Sequence, residues 1–207
     1  MYVIDPGQQF VYEFEINSRA GTYWFHPHPH GRTGVQLYRG LSGLFIVEDD
    51  KESRAGLPNY EYELTWVLQD RRFNQDNQLV YTTNHMQMMM GHYGDRILVN
   101  GLSNHVEEVA NTAYRIRIFN GSNARFYKLA WNDGRPMKAI GTDGGLLEQP
   151  LDKPYVMLAP AERIEIYLDL GDTQVGDNII LQSHAFEGGM MMGMGGMGRM
   201  RGMMGMN

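Results

Sequence analysis

The stretch GTYWFHPHPHG occupies residues 21–31, and GLSGLFIVED follows at residues 40–49. Each contains a short run of aromatic and β-branched residues, which is typical of a buried strand. Side chains two residues apart in an extended strand project to the same side, so we expect the imidazoles of His26 and His28 to face one cavity. Neutral imidazole binds copper, zinc, iron and nickel alike. The pair therefore predicts a transition-metal site, with two histidines satisfied by hydrogen bonds as the alternative.

Alternation of apolar and polar residues continues on both sides of this stretch. It has the period of two that indicates half-buried strands, and it occurs in residues 9–16, 62–68, 114–119 and 164–170. Turn-forming sequences such as Asn120-Gly121 lie between these segments. Many short strands joined by turns predict an all-β protein, built as a β-sandwich or a Greek-key barrel.

Composition excludes several classes of protein. The 207 residues are 43% hydrophobic, which is enough for a packed core, and they carry a net charge of -6. Such a chain has no basic surface for nucleic acid or for an anionic membrane. No stretch reaches the roughly 18 apolar residues of a membrane span, and the first residues do not resemble a signal peptide. The absence of cysteine excludes disulfides and thiolate metal ligands.

The residues around the histidine pair closely resemble the second His-x-His motif of the multicopper oxidases. In that family an aromatic strand leads into His-x-His, and a Gly-Leu-x-Gly-x-x-Ile-Val strand follows. The form WFHPHPHG, continuing into residues 33–36, is most similar to the bacterial copper-efflux branch, which is laccase-like. The resemblance implies that His26 and His28 bind the two type 3 coppers, one histidine to each. It gives His30 no metal role.

The same resemblance implies cupredoxin-like Greek-key β-sandwich domains, of which the first is incomplete. We assign residues 1–54 to the C-terminal part of a first cupredoxin domain, because an immunoglobulin-sized sandwich needs on the order of 100 residues. Residues 55–187 resemble the middle domain of three-domain multicopper oxidases, which binds no catalytic copper and holds the other two domains in place. The matching segments are 94–101, 114–125, 140–147 and 158–163. Residues 188–207 form a Met/Gly-rich tail that we expect to be flexible.

Methionine is concentrated in the tail and in residues 85–92. Thioether sulfur is a soft ligand that selects Cu(I), and glycine leaves the backbone free to wrap around an ion. The composition of the tail therefore predicts Cu(I) capture, and a plain flexible linker is the alternative. The candidate Cu(I) ligands are Met190, Met191, Met192, Met194, Met197, Met200, Met203, Met204 and Met206. Weaker candidates, for which filling of an irregular core is an equal alternative, are Met86, Met88, Met89 and Met90.

The resemblance implies part of a periplasmic or otherwise exported multicopper oxidase that acts in copper homeostasis. The complete enzyme would hold four coppers, oxidise Cu(I), with phenols as a further substrate class, and reduce dioxygen to water. Its partners would be copper ions, dioxygen and the remaining domains of the oxidase, with no nucleic acid and no membrane span. A non-catalytic cupredoxin-like scaffold or copper-binding protein is the alternative.

Much of the family's copper machinery is missing from the sequence. There is no His-x-His before residue 26, no His-x-x-His-x-His and no His-Cys-His. A type 1 copper requires a cysteine thiolate, which this chain lacks. We therefore expect the chain alone to be inactive, and we assign no catalytic residue apart from the metal ligands. Residues 143–145 predict a plain turn, and Glu162 with Arg163 predicts a structural ion pair or a hydrogen-bonding corner.

Overall fold

The computed structural model describes residues 4–81 and 84–186, and the side chain of Met88 is not described. These residues form a mainly β structure with three short α-helices and one 3₁₀ turn at Tyr60–Tyr62. The strands are β1 (Gly21–Phe25), β2 (Gly43–Val47), β3 (Glu63–Arg71), β4 (Arg96–Val99), β5 (Ala113–Asn120), β6 (Tyr127–Trp131), β7 (Met137–Thr142), β8 (Gly145–Lys153), β9 (Val156–Leu158), β10 (Arg163–Asp169) and β11 (Leu181–Ser183). The helices are α1 (Thr33–Tyr38), α2 (Asp50–Ser53) and α3 (His85–Met90).

The strands form three sheets. β1 and β2 make an antiparallel pair, and a six-stranded sheet has the order β4-β3-β5-β10-β7-β8. The third sheet has the order β11-β6-β9. β3 runs parallel to β5, and the other neighbouring pairs are antiparallel. The six-stranded and three-stranded sheets share one hydrophobic core, so the fold is the all-β, cupredoxin-like sandwich that the sequence predicts.

The central strand β5 of the six-stranded sheet is buried on both faces. Along β5, Ile116 and Ile118 belong to the core of the sandwich, whereas Arg115 and Arg117 alternate with them and project to the other face. That other face packs against β1, which contacts β10, β7 and β8. The strand that leads into the histidine pair is therefore supported directly by the second sheet of the molecule.

The predicted strand over residues 9–16 is wrong. This segment pairs with no strand among the described residues, and Phe10, Tyr12, Phe14 and Ile16 are exposed. Alternation determines which face of a strand would be apolar, but a strand also needs a neighbour for its backbone hydrogen bonds. Nothing in residues 4–81 and 84–186 supplies that neighbour here.

The other three predicted strands are confirmed as β3, β5 and β10. The turn at Asp143 is also confirmed, and it joins β7 to β8. Arg163 pairs with Asp143 at 2.9 Å, so the ion pair predicted between Arg163 and Glu162 is wrong. Glu162 instead accepts a hydrogen bond from the backbone N–H of Ala159 at 2.6 Å. The predicted hydrogen-bonding corner therefore exists. Glu162 bonds the backbone of its own loop, and Arg163 pairs with the turn at Asp143.

Candidate metal centre

The histidine pair directly follows β1. Phe25 ends that strand and faces Gly43 of β2, where an added Cβ would lie 2.8 Å from the phenyl ring. His26 and His28 each precede a proline, and proline disfavours helical backbone in the residue before it. Both histidines are therefore kept extended, although the strand itself has ended. Because side chains two residues apart in extended backbone project to the same side, this local sequence explains why the two imidazoles lie on one side of the chain.

The two imidazole rings lie close together. Their centroids are 5.5 Å apart, with an angle of 41° between the ring planes. Trp24 stacks on His26 with a centroid distance of 4.4 Å and contacts Phe119 of β5 at 5.1 Å. The position of His26 is therefore determined by an aromatic stack that ends on the six-stranded sheet.

A hydrogen bond defines which nitrogen of His26 can bind a metal. Its Nδ1 lies 2.9 Å from the carbonyl oxygen of Pro27. A carbonyl can only accept, so Nδ1 carries the hydrogen in this contact and the neutral ring keeps a lone pair on Nε2. A metal-binding histidine commonly donates its second ring N–H in this way. The geometry therefore fits His26 as a ligand through Nε2.

His30 has a different environment. Gly31 adopts a φ of 70°, which glycine tolerates, and the chain then turns into α1. The hydroxyl of Thr33 donates to the carbonyl oxygen of Pro29 at 3.0 Å and stabilises this turn. His30 is exposed beside it, and among the described residues no ring contact joins it to His28. The structure brings His26 and His28 together and leaves His30 outside the pair.

The pair alone does not make a complete metal site. Within residues 4–81 and 84–186, no group of three or more His, Cys, Asp or Glu side chains could hold a metal ion. Two imidazole nitrogens are suitable donors for copper, and they leave most coordination positions to other ligands.

Polar contacts attach β1 to the six-stranded sheet. The hydroxyl of Thr22 donates to Glu165 Oε1 at 2.8 Å, and Arg117 donates to the Thr22 oxygen at 2.8 Å. Arg163 Nε donates to the Thr22 carbonyl at 2.8 Å. Because Thr22 lies four residues before His26, these bonds hold the strand that presents the histidines.

Arg115 and Arg117 belong to a buried network with three carboxylates. Arg117 Nε donates to Glu63 at 2.8 Å, Arg115 Nε donates to Glu165 at 3.0 Å, and both guanidinium groups contact Glu52 of α2. Burial alone would lower the pKa of Arg117, but its hydrogen bond to Glu63 and the charges of Glu165, Glu63 and Glu52 raise it above the ordinary value. We call these five residues the arginine–glutamate cluster. Sequence analysis missed it, although charged residues at the inward positions of β5 and β10 were a visible signal.

The second methionine cluster contains the short helix α3. Asn84 caps its N-terminus by accepting from the N–H of Gln87 at 2.9 Å, and Gly91 ends it with a φ of 88°. Met86 and Met89 lie on one face of the helix, with 63% and 75% of their surface exposed, so the alternative that they fill a core is excluded. Met90 is partly buried. The tail methionines lie outside the described residues.

Helix α1 connects the histidine pair to the region of α3. Tyr38 of α1, Tyr81 and the buried His92 form a mutually packed set with centroid distances of 4.6 to 4.9 Å. Asn123 donates to the carbonyl oxygen of Gly34 at 2.8 Å and holds the start of the helix. His92 therefore packs within an aromatic cluster.

Comparison with known proteins agrees with this architecture. A family model described as multicopper oxidase matches residues 1–52. The cell division protein FtsP of Xenorhabdus nematophila is 37% identical over 83% of this chain and 36% of its own length. The laccase of Bacillus subtilis is 35% identical over 86% of this chain and 36% of its own length. The structure of the multicopper oxidase McoA from Aquifex aeolicus is 40% identical, with a TM-score of 0.73 over 82% of this chain and 38% of that one.

A cupredoxin-like sandwich, packed against the strand that leads into a His-x-His pair, is the architecture of multicopper oxidase domains. The chain belongs to the multicopper oxidase family, and it spans little more than a third of the length of the curated relatives it matches. None of the helices in residues 4–81 and 84–186 is long and apolar enough to cross a membrane.

Proposed function

We propose that this chain is the part of a multicopper oxidase that binds the type 3 coppers through His26 and His28, one histidine to each copper. The observation that supports this most is the pair of imidazoles, whose centroids are 5.5 Å apart. Nδ1 of His26 donates its hydrogen to a carbonyl, which leaves the lone pair of Nε2 available to a metal. Bound copper would supply electron transfer and dioxygen chemistry. The chain's own contribution is to hold the two imidazoles through Trp24, Thr22 and the prolines.

In this proposal the complete enzyme holds four coppers, oxidises Cu(I) and reduces dioxygen to water, and phenols are a further substrate class. The exposed methionines of α3 support a cuprous substrate, because thioethers prefer Cu(I). The tail methionines would add to this capture. Such a role belongs to copper homeostasis in the periplasm or another exported location.

The domain assignment is part of the same proposal. Residues 1–54 would complete a first cupredoxin domain together with the rest of the oxidase, and 55–187 would be the second. The exposed apolar residues between 10 and 16 support the first part, because the described residues leave them largely uncovered. The rest of the oxidase would pack on this segment.

A non-catalytic scaffold is the second candidate function. The similarity to proteins named cell division protein FtsP favours it. Metal analysis of the complete protein separates the two candidates, since an oxidase would contain four coppers and a scaffold few or none.

The isolated chain is expected to lack oxidase activity. Two histidines give each type 3 copper at most one ligand, and no cysteine is present for a type 1 site. The 207-residue chain should neither turn blue with Cu(II) nor consume dioxygen with Cu(I), measured with an oxygen electrode. Oxygen uptake above that of copper alone would contradict this expectation.

Substitution of the exposed methionines of α3 is expected to weaken Cu(I) binding. Met86→Leu combined with Met89→Leu keeps side-chain size and removes two soft sulfur ligands. In competition with a moderate cuprous chelator, we expect about a tenfold loss of affinity at this site, measured in a chain shortened before residue 188. Met157→Leu is the control, because Met157 is also partly exposed but lies on β9. Equal affinity in the double variant and the control would remove α3 from the proposal.

A further inference from the structure

A cavity of about 680 Å³ opens at one end of the sandwich. The loops at residues 105–111 and 173–180, which precede β5 and β11, surround its entrance. Leu64 of β3 lines the cavity, whereas the preceding residue, Glu63, projects to the opposite face of the sheet and bonds Arg117. Arg117 also bonds β1, the strand that leads into the histidine pair. The cavity therefore lies on the other side of the six-stranded sheet from that pair.

The inner wall of the cavity is apolar. Side chains that pack against the hydrophobic core and stay partly exposed contribute to it, and they include Leu64, Trp66 and Ile179. The loops at the entrance carry the exposed valines Val106, Val109 and Val175. An apolar group that covers such a surface removes it from water, which is favourable. The interior therefore favours a ligand with an apolar ring or chain.

The entrance carries two carboxylates, and they lie on different loops. Glu107 and Asp177 line the cavity, and none of the described lining residues is lysine or arginine. Glu107 Oε1 accepts a hydrogen bond from His105 Nε2 at 2.8 Å, and the ring of His105 contacts Trp66 at a centroid distance of 6.4 Å. The charge of Glu107 is therefore close to the apolar wall.

Each of these carboxylates keeps one oxygen available. Asp177 Oδ2 accepts from the backbone N–H of Gln174 at 2.8 Å, as Glu107 Oε1 does from His105. Among the residues that the structure describes, neither Asp177 Oδ1 nor Glu107 Oε2 accepts a hydrogen bond, and Asp177 has no ion pair. Two negative charges at the mouth of an apolar cavity, with no lysine or arginine beside them, concentrate cations there.

Hydrogen bonds hold the loops around the entrance in place. Asn111 Nδ2 donates to the carbonyl oxygen of Thr173 at 2.5 Å and joins one loop to the other. The backbone N–H of Ile180 donates to Asn132 Oδ1 at 2.7 Å, which ties the end of the second loop to the residue after β6. Because the cavity is already formed, a ligand would not have to order these loops when it binds.

We propose that this cavity binds a protonated organic amine whose apolar part is one or two rings. The rings cover the apolar inner wall, and the ammonium group lies at the entrance, where a free carboxylate oxygen accepts its hydrogen bonds. The volume is within the range of small-molecule sites. An anion would meet both carboxylates with no cation to balance it. The site is independent of copper and of the proposed oxidase function.

Binding of matched probes to the full chain tests this site by isothermal titration calorimetry at neutral pH. Tryptamine is the cation, tryptophol has the same ring and chain without the charge, and indole-3-acetate is the anion. We expect tryptophol to bind at least about fivefold more weakly than tryptamine, and indole-3-acetate more weakly still. Ethylammonium, which keeps the charge and lacks the ring, should bind at least about 30-fold more weakly than tryptamine.

Substitution of the carboxylates identifies the cation site. Glu107→Gln and Asp177→Asn keep the size and the acceptor oxygen of each side chain, and each should weaken tryptamine binding about two- to fivefold. Binding of tryptophol should change less than about twofold in both variants. Glu108→Gln is the matched control, because Glu108 is an exposed neighbour that does not line the cavity, and it should leave tryptamine binding unchanged. Circular dichroism establishes that each variant is folded.

NMR spectra of the chain with isotope-labelled tryptophan locate the bound probe. Tryptamine should shift the signal of Trp66, which lines the cavity, and leave that of Trp24, which lies beside His26, unchanged. The proposal is overturned if tryptamine does not bind, if tryptophol or indole-3-acetate binds as tightly, or if the Trp66 signal does not move. It is also overturned if Glu108→Gln weakens binding as much as Glu107→Gln does.

Discussion

Replacement of both His26 and His28 by alanine is expected to lower dioxygen reduction by the complete oxidase more than about 100-fold. Loss of hydrogen-bonding partners around metal ligands alone typically reduces affinity or activity 10- to 100-fold, and loss of the ligands themselves should cost more. The two copper ions at the pair should be lost or loosely held. Steady-state oxygen consumption and metal content, measured on the same samples, check this expectation.

His30→Ala is the matched control for that experiment. His30 belongs to the same short stretch and is exposed, but its ring is not part of the contact between His26 and His28. The His30→Ala variant should keep both the dioxygen reduction and the copper content near the values of the parent protein. In the proposed complete oxidase a type 1 copper would be held by a cysteine, which this chain does not contain, so that copper should still accept an electron in the double variant. Full oxidase activity in the double variant would show that neither histidine is a ligand.

The sequence predicts the strands of the sandwich better than the surroundings of the candidate site. Alternation identifies β3, β5 and β10 because one face of each lies in a shared core. The same pattern over residues 9–16 fails, since pairing depends on a partner strand that local sequence does not specify. The helix α3 has recognisable signals in the sequence, namely Asn84 as its cap and Gly91 at its end.

The closeness of His26 and His28 is predictable because it depends on these two residues and on the proline that follows each of them. The arginine–glutamate cluster is not predictable in this way. Its pairs are far apart in sequence: Arg115 comes 63 positions after Glu52, and Arg117 comes 54 positions after Glu63. The contacts between these residues follow from the order of strands in the sheet. The alternation of apolar and polar residues in the sequence indicates only that a charged side chain faces the protein interior.

The cluster has a consequence for stability that can be measured. Arg117→Met is expected to lower the free energy of unfolding by about 3–5 kcal/mol, the usual cost of removing one partner from a buried ion pair. Arg117 is 1% exposed, and within residues 4–81 and 84–186 the variant would leave Arg115 as the one cation paired with Glu52, Glu63 and Glu165. Urea denaturation, followed by circular dichroism, gives the change directly.

Two comparisons separate this effect from simple loss of an arginine. Arg54→Met removes an exposed arginine, whose distance to Asp50 is 3.9 Å, and should cost less than about 1 kcal/mol. Adding Glu63→Gln to Arg117→Met removes one of the carboxylates left without a partner, so the double variant should be more stable than the sum of the two single changes predicts, by about 0.5–3 kcal/mol. Strict additivity would show that the cluster does not act as a coupled unit. Coupling would instead mean that Arg117 and Glu63 act as one unit on the face of the six-stranded sheet against which β1, the strand presenting His26, packs.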